Sequence, residues 1–198
     1  MIFHDDIIQG SDEWKILRCT RFTASTMGAL FMTPSTAGYN DAINNIVYGR
    51  LTGNSNESFT SYWMTRGIEL EPEARIDFER KNFQKVNQTG FVELDEWQGC
   101  SPDGLINKDG LLQIKCPAPN TMIMYHKKQN GSKKYYYQLQ AEMYVTGRDY
   151  NIFYCYHPEI REYVEVVNRD EKTIKEMKDK IELAKIEVLA RIEAISGK

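Results

Sequence analysis

The 198 residues carry 41% hydrophobic and 27% charged side chains and a formal net charge of −3. A chain of this length buries a core within one domain, and no apolar run is long enough to cross a bilayer. The acidic balance excludes a uniformly basic nucleic-acid binder but not a basic channel in an acidic exterior, because phosphate binding depends on where Lys and Arg stand. Such a cluster exists: Lys127-Lys128 and Lys133-Lys134 bracket the turn-forming run Gln129-Asn130-Gly131-Ser132. Cys19, Cys100, Cys116 and Cys155 form no CxxC pair, and Asp5-Asp6 stand where a secretory signal is basic. Reduced thiols in a cytoplasmic protein are therefore expected.

In chain order, Ser11-Asp12-Glu13-Trp14 opens a helical stretch within 11–31, with Ser11 as its cap and Trp14, Leu17 and Arg18 at helical spacing. A second helix is expected over about 40–52, ended by Gly53-Asn54-Ser55-Asn56. A third is expected over about 66–83, with Glu69, Glu71 and Glu73 in early turns, where carboxylates favour the helix dipole. The period then changes: 91–94, 111–115, 151–156 and 162–167 are rich in β-branched and aromatic residues and predict strands. Residues 135–146 predict a helix stopping at Gly147. Ile174, Met177, Ile181, Ala184, Val188, Ile192 and Ile195 recur at three- and four-residue steps, predicting a long amphipathic C-terminal helix that packs on the sheet or on another subunit. Together these predict one α/β or α+β domain over 1–198, with a central mixed sheet flanked by helices.

Chemistry concentrates in Cys100-Ser101-Pro102-Asp103-Gly104-Leu105, followed ten residues after the aspartate by Gln113-Ile114-Lys115. An aspartate at a hairpin turn and a strand whose residues 113 and 115 point the same way bring three polar side chains to one face. Phosphodiester hydrolysis needs such a group: carboxylate oxygens hold Mg²⁺, the ion activates water and offsets phosphate charge, and a lysine steadies nucleophile or phosphate. This is the D-X(n)-E-X-K pattern of restriction-endonuclease-like nucleases. So short a motif also fits a turn followed by an edge strand with a solvated lysine.

Five blocks in order resemble lambda exonuclease and its relatives, the YqaJ-like viral recombinase family, from about Ser11 to Lys172. They are Trp14 to Arg18 with Thr23-Ala24-Ser25; Gly67 to Arg75; Ser101 to Leu105; Ile114-Lys115-Cys116-Pro117; and Gln138 to Thr146. The resemblance implies a restriction-endonuclease-like core and a 5′-to-3′ exonuclease that releases 5′-mononucleotides from duplex DNA and leaves 3′ tails. By that resemblance Glu71, Asp103, the residue at 113 and the Ile114 carbonyl hold metal, with two Mg²⁺ per site and Mn²⁺ as a substitute. Asp103, Gln113 and Lys115 form the catalytic set, and Lys115 positions the attacking water. Arg18, Ser25, Ser101 and Gln140 grip a terminal 5′-phosphate, and Met64 stands where relatives carry an apolar wedge. The family also implies a ring of three subunits, a single-strand annealing partner, and a phage or prophage protein in a bacterial cytoplasm. Read without the family, Arg18 also fits a surface ion pair, Glu71 a helix-dipole partner, Gln140 and Tyr144 a helix-to-strand hydrogen-bonding pair, and Met64 core filling. Tyr135-Tyr136-Tyr137 fits packing better than base stacking.

One position departs: relatives carry Glu where this chain has Gln113. An amide offers one oxygen to a cation but gives up the charge–charge attraction. With every other block intact, a deliberate replacement explains the glutamine better than natural decay. The expected chain binds DNA ends and at least one divalent ion, cleaves slowly, and regains digestion with Gln113→Glu. The rival readings are a catalytically inert DNA-end-binding protein, an iron–sulfur nuclease with a Q-x-x-x-Y helix, which these cysteine spacings do not fit, and a pure interaction module, which leaves Asp103, Lys115 and Glu71 unexplained.

Overall fold

The computed structural model describes residues 1–56 and 62–197. β1 (Ile2–His4) leads into α1 (Asp12–Cys19), capped as expected by Ser11, whose Oγ accepts from the Trp14 amide at 3.2 Å. β2 (Phe22–Thr23), a 3-10 turn (Ala24–Thr26) and α2 (Met27–Leu30) precede α3 (Ala37–Thr52), which ends on Gly53 at φ 71°. α4 (Tyr62–Asn82) begins earlier than the sequence pattern suggests, so Glu71 lies well inside it. Attraction to the helix N-terminus, which fades beyond the first turn, therefore does not account for Glu71.

Four short strands follow: β3 (Val86–Asn87), β4 (Phe91–Glu93), β5 (Gln98–Cys100) and β6 (Gly104–Ile106). After them come β7 (Gly110–Lys115), α5 (Pro119–Lys128), a second 3-10 turn (Gly131–Tyr135), α6 (Tyr136–Thr146), β8 (Tyr150–His157), β9 (Ile160–Asn168) and α7 (Glu171–Ser196). α7 is the expected long C-terminal helix, capped by Asp170, whose side chain accepts from the amides of Lys172 and Thr173. None of the described helices is long and apolar enough to cross a membrane.

The central sheet is mixed, as expected, with order β3-β6-β7-β8-β9. β7 and β8 run parallel, which demands a crossover, and α5 and α6 provide it. A second sheet, β1-β4-β5-β2, takes the predicted strand at 91–94 out of the central sheet. Leu112 and Ile114 of β7 pack on Ala74 and Phe78 of α4, whereas Leu111 meets Met143 of α6. Since alternate residues point to opposite faces, Gln113 looks toward α6. The stripe of α7 packs within the chain: Met177, Ile181, Ala184 and Val188 join Ile43 and Val47 of α3 in one core cluster. Of the three tyrosines, Tyr135 and Tyr136 are half-buried and Tyr137 is exposed, yet each has a partner within the chain. Tyr135 lies against Phe153, Tyr137 stacks on Phe31 at 3.8 Å, and Tyr136 donates to Asp170 at 2.8 Å.

Candidate active site

Asp103 immediately precedes β6, and the hairpin turn that sequence reasoning assigned to it lies instead around Asn107, at φ 48°. The glycine beside it is dictated by crowding, since a Cβ at Gly104 would lie 2.1 Å from Val86 Cγ1. Gly104 pairs with Leu112, which sets Asp103 across from Gln113. Asp103 Oδ2 accepts the Ile114 amide at 2.7 Å and also accepts from Gln113 Nε2. Gln113 Nε2 lies 3.4 Å from the Ile114 carbonyl oxygen. The amide group thus stands between two oxygens that the resemblance assigns to a cation.

From α4, Glu71 accepts Arg75 Nη2 at 2.5 Å, and Arg75 Nε donates to the Asp103 carbonyl at 3.3 Å, fastening the helix to the Asp103 loop. Burial pushes the Asp103 carboxyl well above the usual carboxylate range; Glu71's charge adds to the rise and Lys115 opposes it. Lys115 ends β7 with Nζ 5.1 Å from the Tyr135 ring centroid. Glu71, Asp103, the 113–114 segment and Lys115 are therefore brought to one place. Among the described residues, no three Asp, Glu, His or Cys side chains are spaced to hold a metal by themselves. What the site could offer a hard cation is the two carboxylates of Glu71 and Asp103 and the Ile114 carbonyl oxygen. That is an all-oxygen set of the kind Mg²⁺ takes, short by one acid.

A second buried acid lies nearby, one that sequence reasoning overlooked. Glu142 of α6 is 1% exposed and directed at the same region. Gln138, one helical turn earlier, donates through Nε2 to Gln113 Oε1 at 2.6 Å and to Glu142 Oε1 at 2.9 Å. Asn151 donates to Glu142 Oε2 at 2.7 Å. Burial raises the Glu142 carboxyl to about 8, helped by the Asp103 charge and resisted by the two amide donors and Lys115. The signal available in the sequence was its setting: Leu139, Ala141, Met143 and Val145 leave α6 little solvated face, and an acid in such a helix needs partners.

The group that the resemblance expects to grip a phosphate assembles only in part. Arg18 donates through Nη1 to Ser101 Oγ at 3.4 Å and through Nη2 to Ser25 Oγ at 3.2 Å. Trp14 Nε1 holds Ser101 Oγ at 2.8 Å, and the guanidinium carbon of Arg18 lies 4.2 Å from the Trp14 ring centroid. Burial lowers the Arg18 pKa to about 10, against a smaller opposite effect of Cys100, so it stays charged at neutral pH. These contacts replace the surface ion-pair reading. Gln140 does not join: it is fully buried, donating to the Asn168 carbonyl at 2.8 Å and accepting the Asp170 amide at 2.8 Å. Residues two apart on a helix face nearly opposite ways, and it is Gln138 that faces β7. Met64 is half-exposed near the start of α4, beside exposed Tyr62 and Trp63, rather than in the core. Arg66 Nη1, 3.4 Å from the Cys116 carbonyl, ties this turn to the end of β7. A cleft of about 570 Å³ runs between Trp14, Glu71 and Arg75 and the 88–90 segment. All four cysteines are free, and among the described residues no three gather into a cluster cage.

Comparison with known proteins gives three results. Residues 13–149 match the model of the YqaJ-like viral recombinase domain. Among solved structures, the alkaline exonuclease LHK-Exo from Laribacter hongkongensis is similar at 29% identity and TM-score 0.86, over 94% of this chain and 96% of that one. Its complex with dAMP matches at 28% identity and TM-score 0.86, over 93% and 96%. A phage related exonuclease from Haemophilus somnus 129PT shares the fold at 15% identity and TM-score 0.75, over 90% and 98%. The search of curated proteins finds no match.

Proposed function

The chain belongs to the YqaJ-like viral recombinase family, and from that premise we propose that it is a divalent-cation-dependent exonuclease acting from the 5′ end of duplex DNA. The observation that carries this reading is the convergence of Glu71, Asp103, Gln113 and Lys115 on one end of β7, in the same fold as LHK-Exo. That relative binds dAMP, a deoxynucleoside monophosphate of the product class expected here. Two Mg²⁺ per site, or Mn²⁺ in their place, supply Lewis acidity and an acidified water when bound.

This chain's own groups divide the remaining work. Glu71, Asp103 and the Ile114 carbonyl oxygen hold cations, and Lys115 contacts the scissile phosphate and orients the nucleophile. Arg18, braced on Trp14, takes the terminal 5′-phosphate with Ser25 and Ser101, since a guanidinium fork suits phosphate oxygens. Met64 and its exposed neighbours meet the parting strands. The amide at 113 lowers the charge facing the cation, so cleavage is slower than in the Gln113→Glu variant. The proposal extends to a ring of three subunits, a single-strand annealing partner, and a phage or prophage setting in a bacterial cytoplasm.

The test is digestion of 5′-phosphorylated duplex labelled separately at each 5′ and 3′ terminus, with Mg²⁺. Early release of labelled mononucleotide from 5′ ends, with 3′ labels retained on single strands, supports the reading. The second reading, an inert end-binding protein, is favoured by Gln113 itself. It predicts binding of 5′-phosphorylated ends with no mononucleotide released, even with Mn²⁺.

A further inference from the structure

We propose that Glu142 supplies to a bound divalent cation the carboxylate charge that position 113 lacks, acting through the side-chain amides of Gln138 and Gln113. The inference rests on the nuclease reading and deepens it. An unbroken hydrogen-bonded path joins the acids: Glu142 Oε1 accepts from Gln138 at 2.9 Å, the same Gln138 nitrogen reaches Gln113 Oε1 at 2.6 Å, and Gln113 Nε2 donates to Asp103. At its far end lies a second observation. Asn151 is wholly buried and gives its N–H to Glu142, while its own Oδ1 has no hydrogen-bond partner. A buried acceptor without a donor is costly, and this one stands beside Glu142 at the end of the path.

The charge count points the same way. The D-X(n)-E-X-K pattern keeps two acids and one lysine on the hairpin. Here the hairpin keeps Asp103 and Lys115, and the second acid faces β7 from α6, one amide beyond Gln113. Both Glu142 oxygens accept, one from Gln138 and one from Asn151, so packing and charge both favour an acid at 142, and cation affinity is the property that separates the two roles. Gln113 thus belongs to a hydrogen-bonded set that returns from α6 part of the charge the strand lacks, and the slower cleavage expected of the amide reflects the part not returned. Glu142 is a positioning residue by this account, and cation affinity reports on it directly.

The experiment measures Mn²⁺ binding by electron paramagnetic resonance, with thermal unfolding of each variant alongside. Glu142→Gln is expected to unfold in one cooperative transition and to weaken Mn²⁺ binding about tenfold or more, as loss of one charge near the ligand set does. Adding Gln113→Glu to that variant, which moves the charge back to the strand, restores affinity to within about threefold of the parent. Gln113→Glu alone raises it less than about fivefold. Glu142→Gln binding Mn²⁺ within about twofold of the parent overturns the proposal. Should Glu142→Gln fail to fold, Gln113→Glu alone decides: a gain of about thirtyfold or more shows that the site lacked the charge, which also overturns it. Retained digestion by the parent then leaves the nuclease reading standing, whereas a parent that neither digests nor binds Mn²⁺ removes both.

Discussion

Arg18→Ala tests the proposed end-recognition pocket. In the present structure both Nη groups of Arg18 rest on serine hydroxyls at 3.4 and 3.2 Å, longer than good hydrogen bonds, so phosphate oxygens are better acceptors. Trp14 holds the guanidinium in place through ring contact and through Ser101, which lowers the ordering cost of binding. A hydrogen bond to a charged group contributes about 1.5–3 kcal/mol, which is roughly 10- to 150-fold in preference. The assay is the ratio of kcat/KM on 5′-phosphorylated duplex to that on 5′-hydroxyl duplex. Arg18→Ala lowers this ratio by that factor while leaving the 5′-hydroxyl rate near the parent value. Arg18→Lys recovers only part, because it restores the charge without the fork. A ratio unchanged in Arg18→Ala, or both substrates slowed equally, refutes the assignment.

Two further outcomes concern stability. Tyr154 is fully buried and donates to Asp77 at 2.6 Å, so Tyr154→Phe costs about 1.5–3 kcal/mol in urea unfolding while digestion below the transition stays close to the parent; a large activity loss without destabilisation contradicts the placement. The Glu142 carboxyl titrates near 8 in the fold against 4.5 in the open chain, so the cation-free folded protein retains a proton that the unfolded chain releases. Its stability falls as pH rises from about 4.5 to 8, and Asp103 adds a slope of the same sign. Glu142→Gln flattens the dependence of the urea midpoint on pH; a slope as steep as the parent's contradicts the burial described.

What the sequence made legible were features with local causes. Ser11, Gly53 and Gly147 mark helix ends by their own chemistry, and the period of α7 is long enough to be unmistakable. The second sheet was illegible because strands of two or three residues show no alternation. α5 escaped notice since Asn120 to Lys128 mixes apolar and basic residues without a clean stripe. At the site, Asp103, Lys115 and the Arg18–Ser25–Ser101 group were readable from spacing and motif. Glu142 was not, because only the packing of α6 on β7 turns a mid-helix glutamate toward Gln113. The placement of Gln140 has the same origin: a motif names both glutamines, and helix orientation turns Gln138 rather than Gln140 toward β7.

Mn²⁺ titration followed by electron paramagnetic resonance reads, without requiring turnover, whether Glu71 and Asp103 hold a hard cation at the end of β7. The account predicts saturable binding that Asp103→Asn and Glu71→Gln each weaken about tenfold or more, with both variants still folded. Binding that is absent, or that survives both substitutions unchanged, contradicts it.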